Sequence, residues 1–273
     1  LLLKDLNNMP EITLVSTLYE GNFKQHLNED GWFFKFESKY ITKKRLIVNN
    51  LYSIDEFNSI VNNLSKNHDF EVVYVEDYAD GVIKKYNLNV DKNHIAYNFC
   101  VPYFVNIDTC KTPYFFNVST DCCIDIHIDD DYFLKSIDLL DNHPEYSVKG
   151  LATIPSHCKY SPDKSMEHPT HEVGEWGQIN CVGYTEEKSL EYFWVCNLFS
   201  DQVFVGKVDN FKKVDWNQAT GSYQLMPRDR AGSEAFECKV SDYLRYNDCF
   251  IPLYKSKTTY FIHSGHIPGS NIK

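Results

Sequence analysis

The sequence predicts an α/β fold with a mostly parallel central sheet. Short apolar runs end abruptly in small polar residues, as buried strands do when they enter loops. Capped, amphipathic helical stretches alternate with those runs through the first third of the chain, and no repeat, low-complexity tract or linker breaks the alternation. Repetition of strand, loop and helix implies right-handed crossovers, which place any ligand at the carboxyl ends of the strands.

The first strand is expected from Glu11 to Thr17, where ITLVST leads into Leu18, Tyr19, Glu20 and Gly21. Arg45 to Val48 repeats the pattern and stops at Asn49 and Asn50. Ser53-Ile-Asp-Glu56 then has the form of a capping box, in which the Ser hydroxyl and the Glu carboxylate satisfy orphan amides. The helix behind it carries Phe57, Ile60, Val61 and Leu64 on one face. A third strand follows over Glu71 to Val75, then a segment capped by Asp80 and a helix from His94 to Thr109. Pro113 to Val118 is the most continuous strand and runs directly into Ser119-Thr120-Asp121. After a strand from Ile124 to Ile128, Asp129 to Asp131 caps a helix bearing Phe133, Ile137 and Leu140, and Val148 to Ile154 is a further strand. A long loop is expected from Pro155 to Trp176, holding His157, His168 and His171. The remainder reads as strands at Tyr192 to Leu198 and Gln202 to Val208, a helix opening at Gly232-Ser233-Glu234, and a last strand, Thr259 to Ile262, ending at His263 and His266.

With 273 residues the chain fits one large α/β domain. It carries 27 Lys and Arg against 38 Asp and Glu, a formal charge of −11 with no basic block, which argues against nucleic acid as a partner. An acidic protein still binds a nucleotide when a divalent cation neutralises the phosphates. The nine cysteines form an odd set without a CxxC pair, several inside apolar runs, and are read as reduced thiols of a cytoplasmic protein. The opening LLLKDLNN is too short for a signal peptide or a membrane span, so no transmembrane segment is expected.

Asp121 is the leading site candidate. A carboxylate at the carboxyl end of a central parallel strand sits where a metal-nucleotide complex binds in an open α/β sheet; the alternative is that it only caps the turn. Trp176 and Trp216 are candidates to stack on a sugar face, or else plain core. Glu234 stands at a helix start, where the dipole favours an ionised carboxylate, and Glu237 lies one turn on.

In order and spacing the chain resembles nucleotide-sugar glycosyltransferases of the GT-A fold. ITLVSTLYEGNF is similar to their first strand and loop, RLIVNNLYSIDEF to the second strand with its base or ribose loop, and KTPYFFNVSTDCCID to the strand carrying the DxD motif. QVFVGKVDNFKKVDW is similar to the acceptor-side strand and helix, GSEAFECKVSDYL to the GxDxE-type helix start, and the terminal YFIHSGH to a late His that some members add to the metal site. The chain departs from the family at Ser119, where the first DxD carboxylate would stand.

The resemblance implies a Rossmann-like GT-A sheet with a smaller acceptor-side subregion in a single domain over 1–273. The nucleotide-sugar-binding half spans about 1–125 and the acceptor-binding, catalytic half about 126–273. It implies transfer of a sugar to a hydroxyl of a saccharide, lipid or protein acceptor, metal-dependent and inverting. Asp121 would meet Mn2+ or Mg2+ with His263 or His266, a nitrogen ligand favouring Mn2+. Thr17, Tyr19, Asn49, Asn50 and Ser119 would contact base and ribose, Lys111 the diphosphate, and Glu234 would deprotonate the acceptor, with Glu237 as the reserve.

Two alternatives stand beside this reading. The missing carboxylate at Ser119 suits a non-catalytic module that binds a nucleotide or saccharide. His127-Ile128-Asp129 with a distal His has the alphabet of an Fe(II)/2-oxoglutarate oxygenase triad, although those enzymes build a double-sheet jelly roll. His171-Glu172-Val173-Gly174-Glu175 is not HExxH, and His157, Cys158, His168 and His171 lack paired zinc-ligand spacing.

Overall fold

The computed structural model describes residues 10–94, 96–120, 123–142, 151–159, 192–196, 199, 201–216, 234–247, 251–254 and 259–263. In chain order the elements are β1 (Ile12–Leu18), α1 (Phe23–His26), α2 (Trp32–Lys35), β2 (Ile41–Val48), α3 (Ile54–Leu64), β3 (Glu71–Tyr74), α4 (Ala79–Tyr86), α5 (Tyr97–Thr109), β4 (Tyr114–Ser119), β5 (Cys123–His127) and α6 (Asp130–Asn142). They continue with β6 (Ala152–Thr153), β7 (Ser156–Lys159), β8 (Phe193–Cys196), β9 (Val203–Lys207), α7 (Val208–Lys212), α8 (Phe236–Tyr246), β10 (Ile251–Tyr254) and β11 (Tyr260–His263).

Six strands form the main sheet in the order β3-β2-β1-β4-β9-β6. The pairs β3-β2, β2-β1 and β1-β4 are parallel, while β9 runs antiparallel to both β4 and β6. β1 is central, and every residue in it but Thr17 is buried, as expected of a parallel strand covered on both faces. The period of two divides its side chains: Val15 joins Ile47, Val73 and Phe115 in one apolar cluster. Ile12, Leu14 and Leu18 join Leu46, Val48 and Phe116 in another. The first cluster contains residues of α4, α5, α7 and α8, and the second those of α1, α2, α3 and α6, giving helices on both faces.

Gly206 on β9 permits close packing within the first cluster. A Cβ there would lie 2.6 Å from the Phe115 ring and 2.9 Å from the Phe211 ring, so only a hydrogen fits. Two smaller sheets, β10-β8 and β5-β11-β7, stand beside the main one.

Several expectations are corrected at the element level. Ser53 makes no side-chain cap, and Glu56 pairs instead with Lys24 at 2.7 Å, so the capping box is not formed. The start of the expected long loop is strand: His157 and Cys158 lie on β7, opposite Phe261 and Ile262. The remainder of that loop from residue 160 onward, with Trp176, lies outside the described residues, as do Asp121 and His266.

Candidate functional site at the carboxyl edge of the sheet

The parallel register levels the strand ends. Thr17 lies opposite both Ile47 and Ser119, and Leu18 opposite Val48, so the loops after β1, β2 and β4 leave the sheet side by side. Side chains then bind the loops together. Asn22 accepts a hydrogen bond from the Tyr19 amide at 2.9 Å and donates to the Thr120 hydroxyl at 2.6 Å. Thr120 in turn donates to the Thr17 carbonyl at 2.6 Å. Thr120, the middle residue of the Ser119-Thr120-Asp121 motif, therefore anchors the end of β4 to the first loop.

A second cluster holds the loop after β2. The Asn49 and Asn50 carboxamides both donate to Asn98 Oδ1 on the first turn of α5, with Asn49 Nδ2 at 3.1 Å. Asn50 adopts the left-handed conformation (φ 49°), which Asn tolerates better than most residues, and its amide donates to Glu76 Oε1 at 3.3 Å. Pro102 removes the amide that would bond the Asn98 carbonyl, loosening the α5 ladder at this edge. Asn49 is buried, 3% exposed, and Asn50 is half-buried.

The edge is acidic. Glu20 follows β1, and the Ser53 hydroxyl together with the Ser53 and Tyr52 amides holds its carboxyl below the usual value. Burial, then Glu76 and Asp80, raise the Tyr97 phenol at the head of α5. A bare diphosphate would meet negative charge here, offset in part by Lys24, which acts on Glu20.

The other expected site residues divide. Glu234 stands just before α8 in an ion pair with Lys239 at 2.8 Å, and Glu237 lies in the first turn of α8. Cys100 links this region to the edge: it is two residues from Asn98, and its thiol is acted on by both Lys239 and Glu234. The backbone of His263 pairs with Cys123, two residues past Asp121 in sequence. Lys111 is corrected: it precedes β4 at the amino end, and six strand residues at about 3.3 Å each put it roughly 20 Å from the carboxyl edge. Trp216 is core, 2% exposed, edge-on to Phe104 at 5.1 Å, with its indole N–H on the Phe211 carbonyl. The oxygenase alternative is corrected too, because Asp129 accepts from the Tyr132 amide at 3.0 Å as the cap of α6, in a helix-flanked sheet rather than a jelly roll. Among the described residues no group of three His, Cys, Asp or Glu is placed to hold a metal.

Sequence reasoning missed Asn22, Thr120, Asn98 and Glu20. Their partners lie up to 103 residues away, and no local pattern announces such pairings.

A solved structure of GalNAc-T7 with UDP, GalNAc and Mn2+ superposes on 94% of this chain and 44% of its own, at 9% identity and a TM-score of 0.52. The chain has the GT-A fold. It spans less than half the length of GalNAc-T7. TarS 1-349 from S. aureus matches over 92% of this chain and 60% of that one, at 12% identity and a TM-score of 0.46. No family model and no curated protein sequence matches the chain. Among the described residues no helix is long and apolar enough to cross a membrane.

Proposed function

We propose that the chain is a glycosyltransferase that moves a sugar from a nucleoside diphosphate donor to a hydroxyl of a saccharide, lipid or protein acceptor, with inversion and with a divalent cation. The observation that carries this is the convergence of the loops after β1, β2 and β4 at one sheet edge, cross-linked by Asn22, Thr120 and Asn98, in a GT-A fold. Thr17, Tyr19, Asn49 and Asn50 form the base and ribose wall, with Ser119 beside them. Glu234 accepts the proton of the acceptor hydroxyl, with Glu237 in reserve. The whole chain acts as one domain, its donor half over about 1–125 and its acceptor half over about 126–273.

Asp121 and His263 would hold the cation, Mn2+ in preference to Mg2+ because of the imidazole, with His266 as a further ligand. The β11-β5 register supports this by setting His263 opposite Cys123. When bound, the ion neutralises the departing diphosphate. Cys100 and Cys110 are buried thiols not joined in a disulfide, which supports a reducing compartment such as the cytoplasm.

A thermal-shift panel of UDP, GDP, CMP, TDP and their sugars, each with EDTA, Mg2+ or Mn2+, tests the reading. A ligand at a hundred times its Kd adds about 2.7 kcal/mol. One nucleotide class stabilising only with Mn2+ is the expected result; no shift with any nucleotide contradicts it.

Ser119 favours one second reading, a module that binds nucleotide or saccharide without catalysis, since the first DxD carboxylate is absent. Tight donor binding without turnover across acceptors would establish it, and turnover lost in Glu234→Gln would exclude it.

A further inference from the structure

Lys239 is a buried ammonium that the roles above do not use. It lies on α8 with its side chain 4% exposed and its Nζ 2.8 Å from Glu234 Oε2. That oxygen is sealed from solvent and makes no directed hydrogen bond, so the contact is an ion pair. The Glu234 side chain is nevertheless 17% exposed, and this exposure lies on its other atoms.

Apolar and polar side chains are buried beside it, Ser241 and Asp242 among the latter. Phe236, Cys238 and Val240 on the same helix are buried in the cluster that includes Phe104 and Trp216. Phe236, two residues after Glu234, stacks on Tyr103 of α5 at 4.4 Å and meets Phe104 edge-on at 5.5 Å, which sets the start of α8 against α5. Burial raises the Cys100 thiol on that helix, against the pull of Lys239 and with the push of Glu234. Asn98 on the same helix is bonded to Asn49 and Asn50. The pair therefore stands behind the carboxyl edge of the sheet rather than at a remote surface.

Burying two charges costs desolvation energy, and replacing such a pair by apolar residues is often neutral or stabilising. Packing alone does not account for a lysine here. We infer that Lys239 is a positioning residue for Glu234, pinning one carboxylate oxygen so that the other faces the acceptor hydroxyl. Glu234 then takes the hydroxyl proton as the acceptor oxygen bonds to the anomeric carbon and the bond from that carbon to the diphosphate oxygen breaks. The inference rests on the reading of Glu234 as the base.

The test compares Lys239→Met, Lys239→Arg and Glu234→Gln with wild type. Nucleotide release is followed from UDP-, GDP-, CMP- and TDP-sugars with Mn2+ and hydroxyl acceptors, with kcat and KM taken on the donor that wild type turns over. Lys239→Met should lower kcat about ten- to a hundredfold, the scale of a misplaced catalytic group, with donor KM within about twofold. Lys239→Arg should recover most of the rate, because a cation at that position is what matters. Should the Met variant fail to fold, Lys239→Gln, which keeps a donor without the charge, replaces it with the same expected loss. Unchanged kcat in Lys239→Met or Lys239→Gln, or an equal loss in Lys239→Arg, overturns the positioning role while an inactive Glu234→Gln leaves the base in place. Full turnover by Glu234→Gln, or no turnover of any donor by wild type, overturns the underlying reading itself.

Discussion

Glu20, on the loop after β1, takes over the helix start that belongs to Ser53: its carboxylate accepts from the Ser53 hydroxyl at 2.6 Å and from the Ser53 amide at 2.9 Å. The Tyr52 amide adds a third bond at 2.9 Å. One side chain thus takes the amide and hydroxyl of the residue that opens α3 and fixes two neighbouring loops at the carboxyl edge. Charge matters in this contact, since bonds to an ionised acceptor are the stronger kind.

Glu20→Gln should therefore lower the melting temperature at neutral pH. The folded carboxyl lies below its ordinary value, so its contribution is present above the unfolded value of about 4.3 and fades as pH falls through the folded value. Melting curves of wild type and Glu20→Gln should converge as pH falls through the folded value, and a difference constant with pH would refute the charge-based account.

Thr120→Val keeps the shape of the side chain and removes both its bonds. It leaves the Asn22 carboxamide and the Thr17 carbonyl without their partner, a loss of about 1–3 kcal/mol in denaturant unfolding. Nucleotide affinity should fall with it, because the first loop is no longer tied to β4. Calorimetric titration with the stabilising nucleotide checks this; wild-type affinity in a variant of lowered stability would detach the cluster from the site.

Asn98→Ala should weaken nucleotide binding about tenfold, roughly 1.4 kcal/mol, by releasing Asn49 and Asn50 together. Asn98→Asp, whose carboxylate still accepts from both carboxamides, should retain most of the affinity. Equal losses in the two variants would place the effect elsewhere.

Gly206→Ala tests the packing between β9 and the first apolar cluster. The added methyl group lies 2.6 Å from the Phe115 ring, and overpacking of this kind costs about 1–3 kcal/mol. An unchanged unfolding midpoint would show that Phe115 can yield.

The parallel half of the fold was legible because β1, β2 and β4 are short apolar runs ending in Thr17, Asn49 and Ser119, and buried strands declare themselves by composition. The apolar run of β9 marks it as a strand, but its antiparallel direction is a long-range property that no local pattern encodes. The Ser53-to-Glu56 capping box failed for a related reason. Glu20, 33 residues away, supplied a carboxylate to the same hydroxyl, and Glu56 was left to pair with Lys24. Lys111 shows that proximity in sequence to a site-bearing strand does not tell which end of that strand a residue occupies. Trp216 and Asp129 show residues whose chemistry suits a ligand being used by the fold as core and cap.

The most direct measurement is nucleotide release from the donor panel, with and without Mn2+, by wild type and Asp121→Asn in the presence of hydroxyl acceptors. The account predicts release from one nucleotide-sugar class by wild type, dependent on Mn2+ and lost in Asp121→Asn. Binding without release from any donor, or full metal-dependent release by Asp121→Asn, would contradict it.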